Sequence, residues 1–166
     1  IGMVHETALG SYTHLVVYTK SALVEQTTPT ALNLTDVMSS VSNVEFVDKD
    51  LDALELGGLV TWRALENWTH VSYYVVYLAM SSSGAEKWQF GRDVAVGWNQ
   101  LSMAVDTAVS NWTHLVVYTK SLLAEQSTPT ALLPSDVSSS VSNVEFVDKD
   151  LDALELGGTA LWTAPL

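Results

Sequence analysis

The sequence predicts an all-β chain, folded as an antiparallel β-sandwich. Three observations carry that expectation. The apolar runs are short and rich in β-branched and aromatic residues. Turn-forming clusters such as DKD, SSSG and STP bound them. The chain also repeats itself at a shift of 100 residues, about the size of one such domain.

The first expected strand of a full unit is 43–48 (NVEFVD), closed by the polar DKD turn. LDALEL can form a helical turn, but Gly57-Gly58 follows at once, so a loop leading into a strand at 57–64 (GGLVTWRA) fits better. Strands follow at 70–79 (HVSYYVVYLA), 86–96 (EKWQFGRDVAV), 99–105 (NQLSMAV), 112–120 (WTHLVVYTK) and 128–137 (TPTALLPSDV). Pro129 and Pro134 give the last of these an edge position, because proline cannot donate to a ladder.

The internal repeat is the strongest feature of the chain. Residues 1–66 align with 101–166 without a gap, and 44 of the 66 pairs are identical. SVSNVEFVDKDLDALELGG occurs at 40–58 and again, letter for letter, at 140–158. The expected phase makes 41–140 one complete sandwich. Residues 1–40 then supply the last strands of a preceding incomplete repeat, and 141–166 the first strands of a following one. A start at Ile1 suggests a processed protein or a piece of a longer one.

Composition narrows the partners. The 166 residues are 48% apolar, enough for one good core and part of a second. Seven Lys+Arg stand against nineteen Asp+Glu, for a net charge of −12. Nucleic acid and anionic membrane surfaces are therefore unexpected, since both need a basic footprint. There is no cysteine, which excludes disulfides and thiolate chemistry. No run approaches the roughly 18–20 apolar residues of a membrane helix.

SNVEFVDKDLDALELGGLVTW resembles the first two strands of a fibronectin type III domain, which end in a core Trp, here Trp62 and Trp162. Trp162-Thr-Ala-Pro165 matches that family's Trp-x-x-Pro, and Trp62 departs from it with Leu65 in place of Pro. Tyr73-x-Val75-x-Tyr77 resembles the third strand, and the run from Trp112 to Tyr118 resembles the sixth. The resemblance implies core positions for Trp62, Tyr73, Val75, Tyr77, Trp112 and Trp162. The family's tyrosine-hydroxyl bond near the sixth strand is open to Tyr12 but closed to Trp112. The YTKSALVEQTTP and DLDALELGG blocks resemble those of long tandem-repeat proteins of unicellular algae.

Four patterns bear on chemistry. NWTH occurs at 67–70 and 111–114 with SYTH at 11–14, each ahead of an apolar run. It reads best as a turn that starts a strand. His70 and His114 would lie at opposite ends of neighbouring antiparallel strands, too far apart to share a metal. Asn33, Asn67 and Asn111 stand in glycosylation sequons, usable only on a secretory route. Asp48, Asp50 and Asp52, with their counterparts Asp148, Asp150 and Asp152, alternate along DKDLDALE. Alternate carboxylates suit a hard cation such as calcium, but the glycine and the closing glutamate of an EF-hand loop are missing. The other reading is a solvated acidic turn.

No nucleophile elbow, zinc-protease helix or phosphate loop is present, so no catalytic residue and no resident cofactor is expected. Trp88 and Trp98 read as core, as a protein contact, or as stacking platforms for sugar rings. The expected function is a non-enzymatic structural or interaction module, partnered by neighbouring copies or flanking repeats, in an array or filament. The alternatives are a carbohydrate-binding module, or an accessory subunit of a large complex, a photosynthetic one if the algal resemblance carries. The expected compartment is extracellular or the cell surface, with an organelle lumen as the alternative.

Overall fold

Short β-branched runs between strong turn signals leave the backbone little choice but to pair with a neighbour. The computed structural model describes residues 1–165, and among them every regular element is a strand and every strand pair is antiparallel. The chain divides into two compact units, 1–39 and from Ser40 onward.

In the first unit, β1 (His14–Val17) pairs with β2 (Thr30–Asn33). Their connection turns on Ser21, whose Oγ accepts from the amides of Leu23 and Val24.

The second unit contains β3 (Ser42–Asp48), β4 (Glu55–Arg63), β5 (Tyr73–Ala79), β6 (Trp88–Gln89), β7 (Val94–Ala95), β8 (Gln100–Ala108), β9 (His114–Lys120), β10 (Thr130–Leu132), β11 (Ser142–Asp148) and β12 (Gly158–Thr163). One sheet runs β3-β4-β8. A second runs β10-β9-β5-β6, with β7 also paired to β5. The β11-β12 hairpin forms a sheet of its own. Pro129 and Pro134 bracket β10 at its sheet edge, where a missing donor costs nothing.

The two larger sheets bury one shared apolar cluster. The first contributes Val44, Leu56, Val60, Trp62 and Met103, the second Tyr74, Val76, Leu78, Leu115 and Val117. Trp62 meets Tyr74 edge to face, with ring centroids 5.3 Å apart. Burial of this set is the main stabilising contribution to the second unit. A smaller cluster, Ala79, Val116 and Tyr118, lies apart from it.

Three sequence expectations need correction. On β5 the residues facing the shared core are Tyr74, Val76 and Leu78, and of the expected Tyr73, Val75 and Tyr77 only Val75 is fully buried. Tyr73 is exposed, and Tyr77 packs in the smaller cluster. The strand is buried on both faces, so its sequence does not alternate and its parity is not written in the letters. The strand expected at 86–96 is two short ones, β6 and β7. Between them Gly91 has φ 70°, and a Cβ there would lie 3.1 Å from the Leu101 side chain. Finally, Trp162 is exposed, because β12 pairs only with β11 among the described strands. Trp62 and Val75 are buried, and Trp112 packs partly against the core.

The β11-β12 hairpin copies β3-β4 in register. Phe46 opposes Val60, and Phe146 opposes Ala160. The bulge before Glu45 recurs before Glu145, with Asn43 at φ 49° and Asn143 at φ 51°. Leu54 and Leu154 both take φ 69°. Glu6 and Asp106, also 100 residues apart, take φ 60° and 59°. Local sequence sets these conformations whatever packs around them.

Candidate functional site

The acidic turn between β3 and β4 is built on backbone amides. Asp48 Oδ1 accepts from the amides of Asp50 and Gly57, at 3.1 and 3.0 Å. Its Oδ2 accepts from Val137 N at 2.9 Å. Asp50 does the same with its two oxygens, taking Asp52 N at 3.0 Å and Asp106 N at 2.7 Å. Both side chains are buried. A buried carboxylate is tolerable only when satisfied in this way. The Asp106 amide, then that of Asp52, holds the Asp50 carboxyl below the ordinary carboxylate range. Gly58 completes the turn. A Cβ there would lie 2.5 Å from Val47 O, so only glycine allows β3 and β4 to approach this closely.

Asp48 is therefore a backbone clamp. The carboxylates that do converge are Asp50, Asp52, Glu55 and Asp106, whose oxygens lie within 4.8 Å of one another. Desolvation, followed by the charges of Asp106, Asp50 and Asp52, raises the pKa of Glu55. Sequence reasoning missed Glu55 and Asp106. Asp106 comes from β8, 56 residues from Asp50, and local spacing carries no sign of it.

The second copy of the turn keeps its local bonds. Asp148 Oδ1 accepts from Asp150 N and Gly157 N, and Asp150 Oδ1 from Asp152 N. The Gly157 amide, then that of Asp150, holds the Asp148 carboxyl low. Asp150, Asp152 and Glu155 converge as in the first copy. Among the described residues, no amide reaches the Oδ2 of Asp148 or Asp150.

The remaining candidates lie apart. NWTH is a turn, with Val71 N bonded to Trp68 O in one copy and Trp112 N to Val109 O in the other. SYTH turns likewise, through Tyr12 N to Leu9 O. His114 opposes Ala79, the end of β5 farther from His70. Asn33, Asn67 and Asn111 are all exposed, and Asn67 Oδ1 accepts from the Thr69 hydroxyl at 2.7 Å. Trp88 is half exposed. Trp98 is 67% exposed beside an open hollow of 430 Å³ shared with Arg92, Asp93 and Gln100.

The most informative geometry is the contrast between recurring segments. Leu56 is 1% exposed and Leu156 79%, while Trp62 is 4% exposed and Trp162 60%. Leu115 is 0% exposed and Leu15 44%. The same letters in the same local conformation are core at 41–140 and surface on either side. Comparison of the chain with protein-family models, curated proteins and solved structures gives no match.

Proposed function

We propose that this chain is a non-enzymatic structural and interaction module, a fibronectin-III-like β-sandwich repeat working in a larger array, filament or multiprotein assembly. The observation that carries this reading is the contrast just described. Large apolar side chains left exposed mark a protein-contact surface, and Val144, Leu156 and Trp162 are exposed copies of the buried Val44, Leu56 and Trp62. The acidic surface and the amide-bonded turns fit a scaffold better than a reaction site.

Hydrogen exchange on the dilute chain tests the reading. Amides over 41–140 should be protected as one cooperative unit, with those of β1-β2 and β11-β12 exchanging fast. Uniform protection across the chain would sink it.

A carbohydrate-binding module is the second reading, favoured by Trp98 beside a hollow of mixed lining, where Arg92, Asp93 and Gln100 stand among Val94, Ala95 and Leu101. An exposed indole offers a sugar ring an apolar face with polar groups close by. Saturable glycan binding, lost in Trp98→Ala, would favour that reading over the first.

A further inference from the structure

We infer that a second copy of this chain covers the exposed β11-β12 hairpin, using its residues 1–37, in the register that β8, β9 and β10 use on β3-β4. This rests on the module reading above and names the surfaces.

The complete arrangement at 41–140 is the template. There β8 lies along β4, with Leu59 opposite Ser102 and Gly58 opposite Met103. The counterparts of Ser102 and Met103 are Gly2 and Met3, and the matching edge of β12 begins at Gly158 and Thr159. Residues 1–8 form no strand in the described structure, while Glu6 already holds the bulge conformation of Asp106. Adding this segment to β12 is β-augmentation, in which main-chain bonds give affinity and side chains give register.

The apolar halves also fit. Met3, Leu9, Tyr12 and Leu15 line an open hollow of 520 Å³. Their counterparts Met103, Val109, Trp112 and Leu115 pack in one cluster with Leu56, Val60 and Trp62. The side chains that fill that place in the template thus recur as Leu156, Ala160 and Trp162. Of the thirteen buried members of the shared cluster, eight have counterparts in 1–37 or 141–165. The other five, from Tyr74 to Val94, belong to β5, Phe90 and β7, which occur once.

Polar partners recur with them. In the template, Val137 N donates to Asp48, Leu54 N to Asp136, the Thr130 hydroxyl to Val41 O, and Gln126 to Ser40. Every one of those residues is the same in the other copies: Val37 with Asp148, Leu154 with Asp36, Thr30 with Val141, and Gln26 with Ser140. The Oδ2 atoms of Asp148 and Asp150 gain the amides that Asp48 and Asp50 already hold. The two halves are different segments of the chain, so the contact is heterologous and builds a ring or an open filament. Both halves are acidic, with Lys20 against Glu6, Glu25 and Asp36 on one side, so salt tightens the association.

Because the chain has no cysteine, disulfide trapping between single-cysteine variants of it is clean. Gly2→Cys is mixed with Thr159→Cys (in register) or with Glu155→Cys (out of register), each under mild oxidation. All three sites are exposed, and a Cβ at Gly2 meets nothing within 4 Å. Native mass is followed by light scattering over a range of concentrations and salt. The expected result is mass that grows with concentration and salt, with the mixed disulfide formed by Thr159→Cys and not by Glu155→Cys. Growth with the out-of-register disulfide would overturn this inference and leave the module reading standing. A mass fixed at 18.0 kDa with neither disulfide would also overturn it. Hydrogen exchange then decides separately whether the module reading survives.

Discussion

Leu56 and Leu156 offer a matched pair within one molecule, two leucines in identical surroundings of sequence. Leu56→Ala removes three buried carbons from the cluster that holds Val60 and Met103. At about 0.8 kcal/mol per buried carbon, the lost transfer energy is about 2.4 kcal/mol. The hole left in a packed interior raises the cost to about 3–4 kcal/mol. Leu156→Ala removes the same carbons from a side chain that is 79% exposed, and should cost less than about 0.5 kcal/mol. Urea unfolding followed by Trp fluorescence reads both. With a slope of about 2 kcal/mol/M, Leu56→Ala lowers the midpoint by about 1.5–2 M, and Leu156→Ala leaves it nearly unmoved. The work belongs at low protein concentration, below any self-association. Equal shifts for the two variants would refute the assignment of one copy to the core and the other to the surface.

The acidic turn gives a second matched pair. Asp48→Ala strands three amides and should cost about 3 kcal/mol, whereas Asp148→Ala strands two exposed ones and should cost under about 1 kcal/mol, by the same unfolding assay. The bond from Lys120, at 2.8 Å, holds the Asp93 carboxyl below its ordinary value of 3.8. Its contribution is therefore present above that value and is lost as the pH falls through the lower folded one. The Lys120 and Asp93 side chains are 40% and 31% open to solvent, so Asp93→Asn should cost no more than about 1 kcal/mol at pH 7, and nothing in strong acid. Glu55 carries the opposite sign. Its folded pKa is raised, so ionisation penalises the fold as the pH rises above 4.5. Glu55→Gln should stabilise the chain at pH 7 relative to the natural residue, with the advantage gone below pH 4.5.

The strand runs were legible because each is a short β-branched stretch closed by turn residues, and every expected run carries at least part of a strand. What the letters did not hold were features fixed by residues far away. The parity of β5 depends on which face meets Trp62 and which meets the Lys87-Glu125 ion pair, where the Tyr77 hydroxyl also donates to Glu125. The break at Gly91 depends on Leu101, ten residues on. The acidic turn shows the same limit. Alternating Asp48, Asp50 and Asp52 resembled a ligand row, yet backbone amides, that of the distant Val137 among them, claim both oxygens of Asp48, and Asp50 and Asp52 converge instead with Glu55 and the distant Asp106.

The near identity of the two hairpins sets up a competition during folding. Through Gly58 and Gly158 they are the same in sequence, with the same bulge and the same turn, so the seat beside β8 distinguishes them by the residues beyond that point and by the path of 130–137, which runs from Thr130 beside Val41 to Val137 beside Asp48. The first difference at a wholly buried position is Val60, which is Ala160 in the other hairpin. Losing two buried methyl groups costs about 2 kcal/mol. That is roughly a thirtyfold preference for the resident hairpin. Val60 is thus one of the differences that keep the chain from folding out of phase by a hundred residues, beside Leu65, which packs on the core where the other hairpin has Pro165. Val60→Ala should narrow the preference without removing it.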